Sequence, residues 1–485
     1  MKNVNYVMLA ACTAIAAALL AGCGGGGGGS AVPGIQLGQT PRPGPSASAS
    51  PRPTNSPSAQ PSPTPTAVAQ QTPPPPSRYM QDTWFGIHAM QVFDEVTYGP
   101  VHNMITQGEA FVDGYRYALV WGPRAATAGT WHTTNPTLRA AYYLPFDTDL
   151  SIGGFGNLGH KIDWWQANHP SWVLYNCHSG GAPTETPATA AQLENVVLDI
   201  TNAQVVRYQV QLAGSYAEAN SYDALAYDIV TMKNNTDQQN GDYGCGVYRG
   251  PGFTNFHRLF TGQNDDPAWS SAVAAWAAQS RAYLHALPRP LWLVANTIPQ
   301  NLQFGDPRET ALLANVDIVL DEAGFSQYGN YVDDAQLTNT AHWAEYIQGL
   351  GNGFLVVDNW GGSSESPTAA QFGYSLATYL LVKEAAAALF VGAKDPYGAE
   401  RWQQPYQALI GAPCAPMSVT GSSVFTRRYT SGFAAVNNDP SSQASIALPR
   451  GTTYVDVQTG RVVSNSFIAA PRHGYVLETI FAGCR

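Results

Sequence analysis

The first 81 residues contain neither Asp nor Glu, and no Trp or Phe occurs before Trp84. Beyond the short apolar run at its start, this stretch has almost nothing to bury and cannot offset the ordering entropy of its backbone, which excludes a packed domain at the front of the chain. Charge is scarce throughout, at 12% of residues, which excludes a highly charged disordered protein. Basic clusters are missing as well: residues 79–485 hold all 34 acids but only 20 of the 24 Lys and Arg, a net charge of −14. Phosphate backbones attract Lys and Arg, so this deficit argues against a nucleic-acid partner. The six Cys contain no Cys-x-x-Cys spacing, and the chain has no His-x-His, His-Glu-x-x-His, Gly-x-Ser-x-Gly or dinucleotide Gly fingerprint. Neither a metal centre nor a cofactor is therefore expected.

What the front does contain reads as an address. Lys2 is followed by an apolar run from Val7 to Leu20 and a small-residue site, Leu20-Ala21-Gly22-Cys23. The run falls below the ~18 residues needed to span a bilayer. Leu-Ala-Gly-Cys resembles a bacterial lipobox, which implies a signal peptide over 1–23 and lipidation of Cys23. A cleaved secretory peptide and a short uncleaved anchor are the alternatives. Residues 24–78 include 14 Pro and a six-Gly run, the composition of a disordered, semi-extended linker. The expected location is the cell envelope, on an outer membrane or cell surface, with the body outside the cytoplasm and tethered to the membrane through its lipidated N-terminus. A monomer is expected.

Four Cys remain in the body: Cys177, Cys245, Cys414 and Cys484. An even number in an exported chain implies disulfides. Of three possible pairings, Cys177 with Cys245 and Cys414 with Cys484 are favoured, because each closes one region.

The body of 407 residues is too large for one small core and predicts about two domains. Over 79–415, apolar runs alternate with helical stretches. Candidate strands are 84–90, 115–121, 139–146, 196–200, 224–230, 291–296, 318–320, 354–358 and 388–391. Most are continuously apolar, as strands buried on both faces are. Residues 269–287 read as a crossover helix with Val273, Trp276, Ser280, Tyr283 and Leu287 near one stripe, and a second helical stretch starts at Gln371. Eight or nine such units predict an α/β fold, a (β/α)8 TIM barrel, with a doubly wound sheet as the alternative. From 416 to 485 short alternating strands separated by turn residues predict a small antiparallel β-sandwich.

In such a barrel the working side chains project from the C-terminal strand ends. Asp228, Glu322, Asp358 and Asp147 end apolar runs there, with Trp121, Asn296, Trp360 and His88 nearby. Carboxylates among aromatic rings suit a saccharide, which offers hydroxyls to acids and CH faces to rings. Splitting a glycosidic bond needs one acid and one carboxylate acting as nucleophile or base. Asp228, with the lower intrinsic pKa, is the candidate nucleophile or base and Glu322 the candidate acid. His88, Trp121, Asp147, Asn296, Asp358 and Trp360 are candidate substrate contacts. Each strand-end carboxylate could instead be a helix cap. Asp199, in Asp-Ile-Thr-Asn, reads as a local turn. Asp321 should face the opposite side of its strand from Glu322. Trp164, Trp165 and Trp172 either line a groove or are buried.

Four segments carry a family resemblance: Asp163-Trp164-Trp165 with Asn168 to Tyr175, Leu198 to Asn202, Tyr222 to Asp228, and Val316 to Phe325. In this order they resemble the glycoside-hydrolase barrels of bacteria grouped as hypothetical glycosyl hydrolase family fifteen, over roughly residues 84–480. The resemblance implies a (β/α)8 barrel and carbohydrate hydrolysis, with Asp228 and Glu322 matching the strand-end acids. Ala224 stands where that pattern commonly has Gly, and Asp321 where Asn or an apolar residue precedes the Glu. The expectation is a tethered glycoside hydrolase acting on an extracellular or envelope polysaccharide. The alternative is a non-catalytic carbohydrate-binding surface lipoprotein on a degenerate barrel, and a third reading is a structural or adhesive envelope protein.

Overall fold

The computed structural model describes residues 89–92, 117–121, 128–129, 139–146, 160–188, 196–236, 241–299, 302–327, 329–360, 367–384, 387–393, 404–480 and 483–484. The signal segment, Cys23, the linker, His88 and Asp147 lie outside them, as does the Trp121 side chain.

In chain order the elements begin with β1 (Ala89–Val92), β2 (Tyr117–Trp121) and β3 (Arg139–Pro145), followed by α1 (Ile162–Asn168), β4 (Tyr175–Cys177), β5 (Pro183–Pro187) and α2 (Ala203–Ala219). Next come β6 (Ala224–Asp228), β7 (Tyr243–Gly250), β8 (Thr254–Arg258), α3 (Pro267–His285), β9 (Trp292–Asn296), α4 (Pro307–Leu313) and β10 (Ile318–Asp321). Then follow α5 (Asp334–Gly349), β11 (Gly353–Trp360), α6 (Ala369–Val382) and β12 (Ala387–Ala393). Eight of these strands close a parallel barrel, in the order β1, β2, β3, β6, β9, β10, β11, β12 and back to β1. The (β/α)8 expectation holds.

One expected strand is not in it. Residues 196–198 form isolated bridges, among them an antiparallel one from Leu198 to Val173; Val196 and Leu198 pack with Trp165, Val173 and Tyr175, and Val197 turns to the larger core. A short apolar run reports burial and does not say which core buries it. The connections after β3 and β6 instead contribute a separate four-stranded sheet, ordered β5, β4, β7, β8. Cys177 and Cys245 join β4 to β7 within it.

Strand parity builds the barrel interior. Ala141 and Tyr143, Ala224 and Ala226, Trp292 and Val294, Ile318 and Leu320, Leu355 and Val357, and Ala388 and Phe390 share one core. The residues between them pack outward against the helices. Ala224 lies in register with Trp292, so a small side chain leaves the volume that the indole fills. The helices start where capping chemistry permits. Asp266 accepts the N–H groups of Ala268 and Trp269 ahead of Pro267 in α3, and Thr368 and Gln371 form a reciprocal capping box on α6.

After a short 3-10 turn come β13 (Ser418–Thr420), β14 (Val424–Tyr429), β15 (Gly432–Asn437), β16 (Ala444–Ala447), β17 (Thr453–Asp456), β18 (Val462–Ser464), β19 (Ser466–Ala469) and β20 (His473–Glu478). They make one eight-stranded antiparallel sheet, in which β17 and β18 separate β20 from β19. Yet the rings of Phe467 and Tyr475 meet at 4.9 Å, so the sheet folds back on itself to enclose its own core. Its other face packs on α6. Eleven residues of α6 are buried, because this helix is covered by the barrel on one side and the sheet on the other. Cys414 and Cys484 are bonded as expected.

Among the described residues no helix is long and apolar enough to cross a membrane.

Candidate active site

The parity that fills the barrel also sets its rim. Counting by two from the interior residues brings Tyr143 on β3, Asp228 at the end of β6, Asn296 at the end of β9, and Glu322 just past β10 to the inner side. The hydrogen bonds agree. The Asn296 amide nitrogen donates to Oδ1 of Asp228 at 2.6 Å and to Oε2 of Glu322 at 2.8 Å. Two such bonds to one nitrogen hold those oxygens no more than about 5.4 Å apart. This upper limit on the two bonded oxygens lies below the ~6.5–9.5 Å of inverting carboxyl pairs and is compatible with the ~5–5.5 Å of retaining ones.

Asp228 takes two further donors. The Tyr143 hydroxyl bonds its Oδ2, and the N–H of Ile229 reaches Oδ1 at 2.9 Å. Ile229 holds φ at 54°, in the left-handed region, which a β-branched side chain rarely adopts. Strain of this kind costs about 1–3 kcal/mol and concentrates where geometry is over-determined. Burial pushes the Asp228 carboxyl above the ordinary carboxylate range, while the bonds from Tyr143, Asn296 and Ile229 pull it back toward ionisation.

Asp358 and Trp360, expected to meet substrate, do not. Asp358 is fully buried and Trp360 is 2% exposed, because Val356, Asp358 and Trp360 are out of phase with the inward Leu355 and Val357. Asp358 accepts the Ser326 N–H at 2.8 Å and the Ser375 hydroxyl, and the Trp360 indole N–H donates to that same Ser375 at 2.8 Å. The Ser326 hydroxyl also bonds the Asn359 carbonyl at 3.2 Å. The segment after Glu322 is thereby fastened to the end of β11. Gly324 makes the approach possible: at φ of +59°, a Cβ there would lie 2.5 Å from the Val357 carbonyl oxygen. Burial pushes the Asp358 carboxyl up to about 6 against these hydrogen bonds.

Asp321 faces away from the pair, as parity predicts, and caps the following turn through the N–H groups of Ala323 and Gly324. Asp199 accepts the N–H and hydroxyl of Thr201, the local turn expected of its sequence. Asn296 is 6% exposed and bridges the two carboxylates, a closer role than the substrate contact expected of it.

No protein-family model matches the sequence, and no curated protein does. Among solved structures the chain is similar to a noncanonic maltogenic alpha-amylase from Thermotoga neapolitana, with TM-score 0.47 and 11% identity over 82% of this chain and 99% of that one. It is similar also to an alpha-amylase from Geobacillus thermoleovorans, with TM-score 0.47 and 8% identity over 82% and 98%. A debranching enzyme from Nostoc punctiforme gives TM-score 0.44 and 11% identity over 82% and 100%. The chemistry therefore rests on the side chains.

Tyr143 and Glu309 are the residues that strand-end reasoning missed. Tyr143 could have been found by counting back two from the strand-end Pro145, or forward two from Ala141. Glu309 is 2% exposed in the first turn of α4 and accepts the hydroxyl of Thr297, the residue after Asn296, at 3.2 Å. Burial pushes its carboxyl up to about 7. Of the tryptophans left open between groove and core, Trp165 is fully buried, and Trp164 and Trp172 are partly exposed. Among the described residues no group of three His, Cys, Asp or Glu could hold a metal ion.

Proposed function

We propose that the chain is a retaining glycoside hydrolase, with Asp228 as nucleophile and Glu322 as acid and then base. The observation that carries the reading is the single Asn296 amide bonded to both carboxylates. Glu322 gives its proton to the leaving glycosidic oxygen while Asp228 attacks the anomeric carbon. Glu322 then takes a proton from water as that water displaces Asp228 and frees the sugar. Three donors converge on Asp228 and favour its ionised form, which a nucleophile needs. The resemblance to hypothetical glycosyl hydrolase family fifteen supports the same pair.

The substrate is an extracellular or envelope polysaccharide. The lipobox ending at Cys23 and the Pro-rich linker support a body tethered outside the cytoplasm. A Cys23→Ala chain that still partitions with membranes would reject this anchor.

The mechanism is tested by trapping. An activated 2-deoxy-2-fluoro glycoside should leave a covalent adduct on Asp228, located by mass spectrometry, in the wild type. An adduct on another residue rejects the assignment. A polysaccharide panel tests the activity itself: Asp228→Asn and Glu322→Gln should lose product release, and equal release by all three proteins overturns the site. Sugar binding without turnover by the wild type would favour the non-catalytic alternative.

A further inference from the structure

A cavity of about 510 Å3 that none of the carboxylate-pair residues lines is bounded by Ser171, Asp199, Thr201, Asn202, Val247 and Arg249. Its residues come from the connection that leads from β3 into α2 and from β7, in the connection that follows β6. Both connections leave the C-terminal ends of barrel strands, the rim where Asp228 and Glu322 stand. The volume falls within the ~300–1,000 Å3 of small-ligand sites. We propose that this cavity is a second saccharide-binding site, which holds a neutral sugar unit on the same rim as the carboxylate pair.

The lining has the chemistry of polyol recognition. Hydroxyls, an amide, a carboxylate and a guanidinium supply both donors and acceptors, and Val247 alone is apolar. Asp199 is 5% exposed and accepts the Thr201 N–H at 2.9 Å and the Thr201 hydroxyl at 2.6 Å on Oδ1, with the Asn202 N–H as a further donor to the carboxylate. A carboxylate can accept at both oxygens, so a sugar hydroxyl can add to the donors that Asp199 already has. Burial pushes the Asp199 carboxyl above its ordinary range, while the Thr201 hydrogen bonds and the nearby Arg249 guanidinium pull it back toward ionisation. A carboxyl group in the lining beside Arg249 distinguishes the cavity from an anion site, since a phosphate or sulfate drawn to Arg249 and to the N-terminus of α2 would also meet Asp199.

The backbone of one tryptophan is bonded to the lining. The N–H of Asp199 donates to the Trp172 carbonyl at 2.8 Å, which locks the two residues side by side. Trp172 stacks on His169 at 4.3 Å between centroids, and Trp164 stacks on His160 at 3.5 Å. Both tryptophans are partly exposed, backed by the buried Trp165. Trp172 follows the lining residue Ser171 in the chain, and an indole there could take the CH side of a sugar ring.

The site is independent of catalysis, so the test uses the full chain carrying Glu322→Gln, with maltohexaose, cellohexaose and N-acetylchitohexaose as probes. Calorimetry should show two classes of site for at least one probe. Asp199→Asn combined with Arg249→Ala should weaken one class by about tenfold or more, the expected loss for hydrogen bonds to charged groups, and leave the other unchanged. Ser171→Trp, which fills the cavity from a partly exposed position, should do the same in a chain that melts as the parent does, so a misfolded double variant cannot mask the result. A single class of site, unaltered binding in both variants, or no binding of any probe overturns the proposal. Wild-type hydrolysis without a second class would reject this site alone, and a second class without hydrolysis would reject the catalytic reading alone.

Discussion

Asp358 accepts the backbone N–H of Ser326 at 2.8 Å, across the gap between β11 and the segment that follows Glu322. The bond makes Asp358 a positioning residue for the acid, although it stands outside substrate reach. Asp358→Ala leaves the Ser326 N–H and the Ser375 hydroxyl buried without their acceptor, which costs about 1–3 kcal/mol for each group so orphaned. Loosening Glu322 should lower kcat by about tenfold or more with KM little changed, since small misplacements of a catalytic group are expensive. Steady-state kinetics beside a thermal melt checks both. An unchanged kcat in a destabilised chain would show that Asp358 supports only the fold.

Two buried acids give the fold a pH dependence with a defined sign. Burial raises Glu309 to about 7 from 4.5, and Asp358 to about 6 from 3.8. Each therefore holds its proton more tightly folded than unfolded. The stability they contribute is complete below about pH 4, and is lost as pH rises through about 6 for Asp358 and about 7 for Glu309. Glu309→Gln removes one of these losses. The variant should match or fall below the wild type at about pH 4 and exceed it at about pH 8, by up to ~3 kcal/mol, since each tenfold change in proton affinity is worth ~1.4 kcal/mol. Urea unfolding at the two pH values measures the crossover, and parallel curves would reject it.

The C-terminal sheet meets the barrel at a backbone-to-backbone contact. A Cβ on Gly474 of β20 would collide with the Gly373 carbonyl oxygen and lie 2.7 Å from Tyr374 Cα on α6. These are main-chain atoms and cannot swing aside. Gly474→Ala should cost at least the ~1–3 kcal/mol of an overpacked core. A melting temperature equal to the wild type's would mean that the sheet and α6 are free to separate.

Cys414 and Cys484 close a loop of 70 residues, bracketing the β-domain. In the chain-entropy account a loop of this length is worth about 4 kcal/mol. Replacing both by Ala should lower stability by up to that amount. A loss confined to the β-domain signal, with α6 unaffected, would show that the two cores unfold separately.

Strand parity explains what the sequence disclosed and what it hid. Asp228 and Glu322 were legible because each ends an apolar run, and the placing of Asp321 on the opposite face followed from a period of two. Asp358 and Trp360 also end an apolar run, but every residue of β11 is buried on one side or the other, so hydrophobicity alone could not give its phase. The bridging role of Asn296 depends on register between β6 and β9, a tertiary fact, although its place at a strand end was visible. The run 196–200 looked like a barrel strand because its burial is real and only its partner differs. Both disulfide pairings were legible from the regions they close.

Tyr143 supplies the most direct probe of which carboxylate is the nucleophile. Its hydroxyl donates to Oδ2 of Asp228, whereas Asn296 and Ile229 serve Oδ1. Tyr143→Phe deletes that donor and leaves the ring in place on the inner face of β3. Losing a bond to the charged form raises a carboxyl pKa, so the Asp228 carboxyl moves further above the ordinary range. If Asp228 must be ionised to attack, the acidic limb of the kcat/KM profile moves to higher pH while the basic limb, set by the proton on Glu322, holds its place. A fall in kcat/KM of about tenfold or more at mid-profile should accompany the shift. Movement of the basic limb alone would assign the roles the other way round, with Asp228 as the proton donor and Glu322 as the attacking group.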